Sequence, residues 1–265
     1  MSAPRYELYA IKYAHHARRA SENFIGGDPH DGPMPLDYFI WLIRGGDGKN
    51  TREIVVDTGF SAATAARRQR DHLRCPTEGL RLLGVDAGKV KDVVITHLHY
   101  DHVGNFGLFS AATFHLQDKE MQYATGRHMS KPVFSGAFDL EDVVGMVRSN
   151  YASRVRFHDG DAVLAPGVSL HLIGGHTMGL QVVRVATRRG WVVLASDASH
   201  FYANMEQLRP FPIVYNVADM VEGYDRLRAL ADSPAHIIPG HDPLVLERYR
   251  APPAGALQGI VARLD

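Results

Sequence analysis

Runs of alternating apolar and polar residues punctuate the chain and mark most of its elements. Tyr6 to Tyr13 alternates with period two and predicts a first strand. Leu36 to Arg44 predicts a second, closed by a turn at Gly45-Gly46-Asp47-Gly48, with Glu53 to Val56 as its hairpin partner. Between them, His15 to Pro35 is rich in Gly, Pro, Asp and His and predicts a long loop. Ser61 to Arg74 is Ala-rich with a serine at its start, the signature of a helix, and Pro76 to Gly84 predicts a second, short helix stopped by its glycine. Val93-Val94-Ile95 is a buried strand, followed by a strand over Ala111 to Gln117 and a helix from Lys119 to Ala124.

Residues 125–160 lose clear periodicity. They predict an insertion, partly helical around Leu140 to Tyr151, that lies over the site as a lid. Strands are predicted at Val168 to Ile173, Gln181 to Thr187 and Trp191 to Leu194. An aromatic, proline-rich loop, an amphipathic helix from Val217 to Ala231 and a last strand from His236 to Ile238 complete the pattern. Strands and helices alternate throughout without a linker or a composition break. A single α/β (α+β) domain over residues 1–265 is therefore expected, built as two sheets face to face with helices outside.

Composition narrows this picture. With 265 residues, 45% of them hydrophobic, the chain is long enough for one sizeable core. Formal charge is zero with histidine neutral, so no nucleic-acid or membrane partner is expected. Cys75 is the sole cysteine, which rules out an intramolecular disulfide framework and suits a reducing compartment. Met1 to His16 lacks an apolar signal-peptide region, and no apolar run approaches the roughly twenty residues that span a bilayer. A cytoplasmic protein is the expectation.

The chemistry concentrates after the strand at Val93. His97, His99, Asp101 and His102 place four donors in six positions. Alternation in an extended segment would aim His97, His99 and Asp101 to one side, with a turn needed for His102 to rejoin them. One histidine at a strand end is ordinarily a satisfied or surface residue. Four such groups together serve no structural end and suit a divalent transition metal, zinc first. His176, Asp197 and His241 each follow an apolar strand that ends in a small residue, where ligands commonly gather. The seven side chains exceed the needs of one tetrahedral ion and imply two, with Asp197 as the bridge. Asp57, at the end of another apolar strand, either caps a turn or orients a ligating histidine.

These motifs carry a resemblance. Thr96 to Gly104, Gly175 to Thr177, Ser196-Asp197-Ala198 and Gly240 to Asp242, with Asp57-Thr58-Gly59 and Pro76 to Leu83 in support, resemble the metallo-β-lactamase superfamily. Within it the chain is similar to the N-acyl homoserine lactone lactonases. The resemblance implies a four-layer αββα sandwich. It also implies two Zn2+ ions, one on His97, His99 and His176, the other on Asp101, His102 and His241, with Asp197 shared. The activity implied is opening of a lactone ring, an acyl homoserine lactone or another small lactone, by a hydroxide held between the ions. Asp101 or Asp197 would pass the proton, and His200 would assist at the developing oxyanion.

His200 stands where the quorum-quenching lactonases have a substrate-binding tyrosine, and Met178-Gly179-Leu180 replaces their usual Pro-Gly-His. Pocket walls are expected at Trp41, Phe201, Tyr202, Phe211 and Tyr215, with Arg18 near an acidic substrate group. The remaining histidines, such as His72, His115, His128, His158, His171 and His236, read as ordinary surface or satisfied residues. A homodimer is plausible by resemblance. Competing readings are hydrolysis of a cyclic amide, or of a thioester of the glyoxalase II type, and a di-iron redox protein. The last usually has glutamate where this chain has His99.

Overall fold

Apolar side chains on both faces of the long first strands require cover on both sides, and the architecture supplies it. The computed structural model describes residues 4–46, 51–253 and 257–265. In chain order the elements are β1 (Tyr6–His16), β2 (Leu36–Gly45), β3 (Arg52–Val56), α1 (Ala62–Arg68), β4 (Asp71–His72), α2 (Pro76–Leu82) and β5 (Asp92–Val94). There follow α3 (Tyr100–Val103), β6 (Thr113–Gln117), α4 (Asp118–Ala124), α5 (Pro132–Ser135), α6 (Leu140–Tyr151), β7 (Val155–His158), β8 (Ala162–Ala165) and β9 (Val168–Leu172). The chain closes with β10 (Gln181–Thr187), β11 (Gly190–Ser196), α7 (Tyr202–Glu206), α8 (Val217–Leu230), β12 (Ile237–Pro239), α9 (Leu244–Arg248) and β13 (Val261–Arg263).

The first sheet runs β13-β1-β2-β3-β5-β6-β7, with β4 also on β1, and the second runs β12-β11-β10-β9-β8. Strands β3, β5, β6 and β7 are mutually parallel, as are β11 and β12. Their C-terminal ends therefore deliver Asp57, the 96–102 segment, Asp197 and His241 to the ends of the sheets, where α/β folds place ligands. Period two sorts β2 cleanly: Tyr38, Ile40 and Leu42 join the core under the helices, with Ala65, Leu80 and Met146. Phe39, Trp41 and Ile43 face the core between the sheets, with Val185 and Leu194. Met220, Tyr224 and Leu227 of α8 cover the far side of the second sheet, completing the helix–sheet–sheet–helix layering. Gln181 ties the sheets together where β5 stops. Its backbone N–H donates to the Thr96 carbonyl at 3.0 Å and its side chain donates to those of Ile95 and His115.

Several boundaries differ from the sequence expectation, each for a local reason. The helix expected through Arg74 ends at Arg68, because Gln69 adopts a left-handed φ of 56° and bonds back to the Ala65 and Ala66 carbonyls. The chain then pairs with β1 as β4. The strand before the histidines stops at Val94, and residues 100–103 form a helical turn, so Asp101 reaches the cluster from α3 rather than from an extended segment. Within residues 125–160, α6 falls at Leu140–Tyr151, but Val155–His158 is the edge strand of the first sheet rather than part of a cover. The strand expected to start at His236 begins at Ile237. Strands β8 and β13 and helices α7 and α9 are short elements in stretches that carry no periodic signal. Asp47 and Gly48 of the expected turn lie outside the described residues. No helix among the described residues is long and apolar enough to cross a membrane.

Candidate metal centre

The seven expected ligands meet at one place. His97, His99, His176 and Asp197 present donor atoms that all lie within 4.8 Å of one another; Asp101, His102 and His241 form a second such group, and Asp197, His200 and His241 a third. Asp197 sits between them. Its Oδ2 lies 3.3 Å from His176 Nε2 and 3.8 Å from His97 Nε2, and its Oδ1 lies 3.3 Å from His102 Nε2 and 3.0 Å from His241 Nε2. Asp101 Oδ2 is 3.7 Å from His102 Nε2 and 3.8 Å from His241 Nε2. His99 enters by its other nitrogen: Nδ1 is 3.0 Å from His97 Nε2 and 2.9 Å from His176 Nε2.

The outer nitrogens of three of these histidines are spoken for. His176 Nδ1 donates to the Ile213 carbonyl at 2.7 Å, His241 Nδ1 to the Asp37 carbonyl at 3.0 Å and His102 Nδ1 to Asp57 Oδ2 at 2.7 Å. Each bond fixes a tautomer whose Nε2 lone pair aims inward, the arrangement metal-ligating histidines use. Asp57 is fully buried, takes Thr96 N–H and Oγ1–H at 2.8 Å each, and holds a left-handed φ of 62°. Ser196, just before Asp197, holds φ at 46°. Non-glycine residues in that region cost about 1–3 kcal/mol each and cluster at functional sites. Asp57 thus hydrogen-bonds the His102 ring as well as the Thr96 backbone and hydroxyl.

The donor set fits divalent cations. His102 Nε2 and Asp197 Oδ1 are buried and face each other without a hydrogen-bond partner. Burial holds His97 and His99 well below the usual imidazole pKa and takes His176 down to about 3, so all three offer free lone pairs at neutral pH. At His102 and His241 burial also opposes charge, but Asp197 and Asp101 outweigh it and raise both. Imidazole and carboxylate in this mixture are zinc-type donors.

A residue with no sequence signal braces the two histidine loops. Glu120 is fully buried and accepts Leu98 N–H at 2.9 Å, Thr177 Oγ1–H at 2.6 Å and Gly179 N–H at 3.1 Å. Burial pushes its carboxyl up to about 7 against those donors. The fit also explains Gly179, since a Cβ there would stand 2.1 Å from the Glu120 nitrogen. In the same way a Cβ on Gly240 would stand 2.8 Å from Asp197 Oδ1, so glycine lets the chain close over the bridging carboxylate.

A cavity of about 180 Å³ opens on the cluster, lined by His99, Asp101, His176, Asp197, His200 and His241 on its polar floor. Of the expected walls, Arg18 and Phe211 line it. Trp41 does not, because strand alternation turns it into the core between the sheets. Phe201 is buried under the first sheet's helices, and Tyr202, the first residue of α7, is buried in the other core with Arg248 over its ring. Tyr215 packs edge-on against Tyr123 and His128 and does not line the cavity. Missed by sequence reasoning were Tyr38, Arg68, Arg70, Tyr100 and Ile213. His200 Nε2 lies 3.0 Å from Asp197 Oδ2, and its ring stacks on Phe211 at 3.7 Å and 7°.

Comparison with known proteins gives the chain a family and a set of relatives. The family model described as the metallo-beta-lactamase superfamily matches residues 34–241. The N-acyl homoserine lactonase AttM of Azorhizobium caulinodans is 26% identical over 247 residues, covering 86% of this chain and 89% of that protein. Its namesake from Rhizobium johnstonii is 27% identical over 190 residues, 66% of each chain. Among solved structures, an N-acyl homoserine lactone hydrolase with N-hexanoyl-L-homoserine at its catalytic metal centre superposes with a TM-score of 0.76 at 21% identity, covering 96% of this chain and 99% of that one. AidC, a dizinc quorum-quenching lactonase in complex with a product, superposes at 0.68 and 16% identity, covering 92% and 90%. Those two likenesses establish the fold.

Proposed function

The chain belongs to the metallo-beta-lactamase superfamily, and from that premise we propose that it is a dizinc hydrolase that opens the ring of a small lactone. The observation that carries this reading is the pair of donor groups joined by the two oxygens of Asp197 on the floor of a cavity. The relatives named as N-acyl homoserine lactonases support an ester substrate. His97, His99 and His176 would hold one ion, Asp101, His102 and His241 the other, and Asp197 both. A bound pair of divalent ions supplies an activated water at neutral pH and polarises the carbonyl.

The chain's own side chains do the rest. Asp197, fixed between the imidazoles, would orient the nucleophilic water by accepting a hydrogen bond from it. Asp101, on the cavity wall, stands where it can pass that proton to the ring oxygen as the bond breaks. Burial lowers His200 to about 4, so it is neutral. Its Nε2 N–H lies against Asp197 Oδ2 at 3.0 Å, and with that oxygen taken up by a metal ion the same N–H would be free to donate to the oxygen that gains charge. The segment at residues 136–137 lines the cavity beside His99 and acts as its cover. Its contact is backbone pairing: Tyr100 N–H donates to the Ala137 carbonyl at 2.9 Å.

The test is a panel of lactones, cyclic amides, thioesters and β-lactams, read by proton release. Zinc-loaded protein is expected to turn over lactones at least about 100-fold faster than the other classes, to lose that activity on chelation and to regain it with zinc. Preference for a thioester or amide, or activity that survives chelation with no metal left, would contradict the reading.

A further inference from the structure

Three arginines reach the cavity from two separate segments, and the hydrolysis step itself uses none of them. Arg18 comes from the loop after β1, Arg68 is the last residue of α1, and Arg70 lies in the turn between α1 and β4; all three line the cavity with the ligand side chains. Arg68 and Arg70 are held by the metal loop itself. The Arg68 guanidinium lies 3.9 Å over the ring of Tyr100, the residue between His99 and Asp101, and Arg70 Nε donates to the Tyr100 hydroxyl at 3.2 Å. Tyr38, whose hydroxyl is 3.4 Å from that of Tyr100, packs edge-on against His241. Arg18 lies 5.1 Å from the centroid of Phe211, the ring stacked on His200.

Among the described residues none of the three forms an ion pair within 4.0 Å, although the Glu22 carboxylate acts favourably on Arg18 from farther off. Arg19, Arg67, Arg209 and Arg263 each reach a carboxylate. Among the described residues, Arg18, Arg68 and Arg70 find only neutral acceptors: Asn23 Oδ1 and the Glu22 carbonyl for Arg18, the Gly136 and Phe138 carbonyls for Arg68, and the Arg68 carbonyl for Arg70. The Glu22 carboxylate is engaged by the Arg19 N–H. Arg68 Nε is buried with no partner at all. Burial lowers the Arg18 pKa, Glu22 partly offsets that, and Arg70 adds to the lowering, so the like charges feel one another across the cavity wall. Partly buried like charges without counterions are costly in a free protein, and planar guanidinium groups match a carboxylate through paired hydrogen bonds. A neutral acyl chain laid in this cavity would instead cover guanidinium groups without pairing them.

We propose that Arg18, Arg68 and Arg70 form an anion subsite that takes a carboxylate carried by the substrate, so that the preferred substrate is a small lactone acid rather than a lactone with a neutral acyl chain. The substrate class rests on the hydrolase reading above; the carboxylate subsite does not. The cavity of about 180 Å³ agrees in scale, lying below the roughly 300 Å³ at which drug-sized ligand pockets begin.

Two measurements separate the subsite from the reaction. The first compares the 4-carboxylate of γ-butyrolactone with its methylamide on zinc-loaded protein. The acid is expected to show a kcat/KM at least about 30-fold higher, and Arg18→Met and Arg70→Met are each expected to shrink that ratio roughly tenfold, while Arg70→Lys retains part of it. The second is calorimetry with glutarate, which needs no turnover: wild type should bind at least about tenfold more tightly than either methionine variant, with circular dichroism confirming that both variants are folded. Equal or better turnover of the methylamide, or glutarate binding that the arginine variants do not weaken, overturns the subsite and leaves the hydrolase reading standing. Arginine-dependent glutarate binding in a protein that opens neither lactone supports the subsite and sinks the lactone reading instead.

Discussion

Asp197→Asn is expected to lower kcat/KM on any lactone the protein opens by about 10³-fold and to cut tightly bound zinc from two ions per chain to one or fewer. The reason is the double use of one carboxylate. Its Oδ2 faces His176 and His97, and its Oδ1 faces His102 and His241, so the substitution removes negative charge from both groups at once. An amide offers one weaker, uncharged oxygen, and its NH2 group has no lone pair to give a metal ion. Loss of one electrostatic group at a reacting centre commonly costs roughly 10²–10³-fold, and here loss of metal adds to it. Metal counting on the purified variant beside steady-state kinetics measures both. Full zinc content with activity within tenfold of wild type would show that Asp197 bridges nothing.

Glu120→Ala is expected to be the second severe change, acting on stability first and on metal retention through it. Three buried donors, from Leu98, Thr177 and Gly179, lose their shared acceptor. Unsatisfied buried groups cost about 1–3 kcal/mol each, so the sum is roughly 3 kcal/mol or more. For a chain of this size that corresponds to a fall in Tm on the order of 10 °C. The same three bonds hold the 97–99 loop to the 176–179 loop, so the ligands of one ion lose their common brace and zinc affinity should weaken roughly 10–100-fold. Thermal unfolding with and without zinc, together with a competitive chelator titration, reads both. An unchanged Tm and unchanged zinc affinity would reduce Glu120 to a bystander.

The two severe sites differ in how plainly the chain announces them. The four donors within residues 97–102 and the strand-end positions of His176, Asp197 and His241 are legible because polar ligands at the ends of apolar strands have no cheaper explanation. Glu120 is not, since a glutamate in the first turn of a helix reads as ordinary favourable placement at the helix dipole. Its role arises only when β10 brings the 176–179 loop onto it. Arg68 and Arg70 were hidden for a related reason: both sat inside an expected helix, and only the left-handed turn at Gln69 directs them to the cavity. Trp41 shows the limit of alternation. With Phe39, Ile40, Trp41 and Leu42 all apolar, period two predicts two buried faces but not which one borders the site. The layered architecture was legible in outline; the short strands β8 and β13 and the helix α9 were not, because elements of three to five residues carry too little pattern.

The most direct test of the account is an anomalous-scattering measurement at the zinc edge on crystals of the zinc-saturated protein. Two peaks are expected. One should lie among His97 Nε2, His99 Nδ1, His176 Nε2 and Asp197 Oδ2, and the other among Asp101, His102, His241 and Asp197 Oδ1. A single peak, or zinc held by other residues while these seven stay unligated, would contradict it.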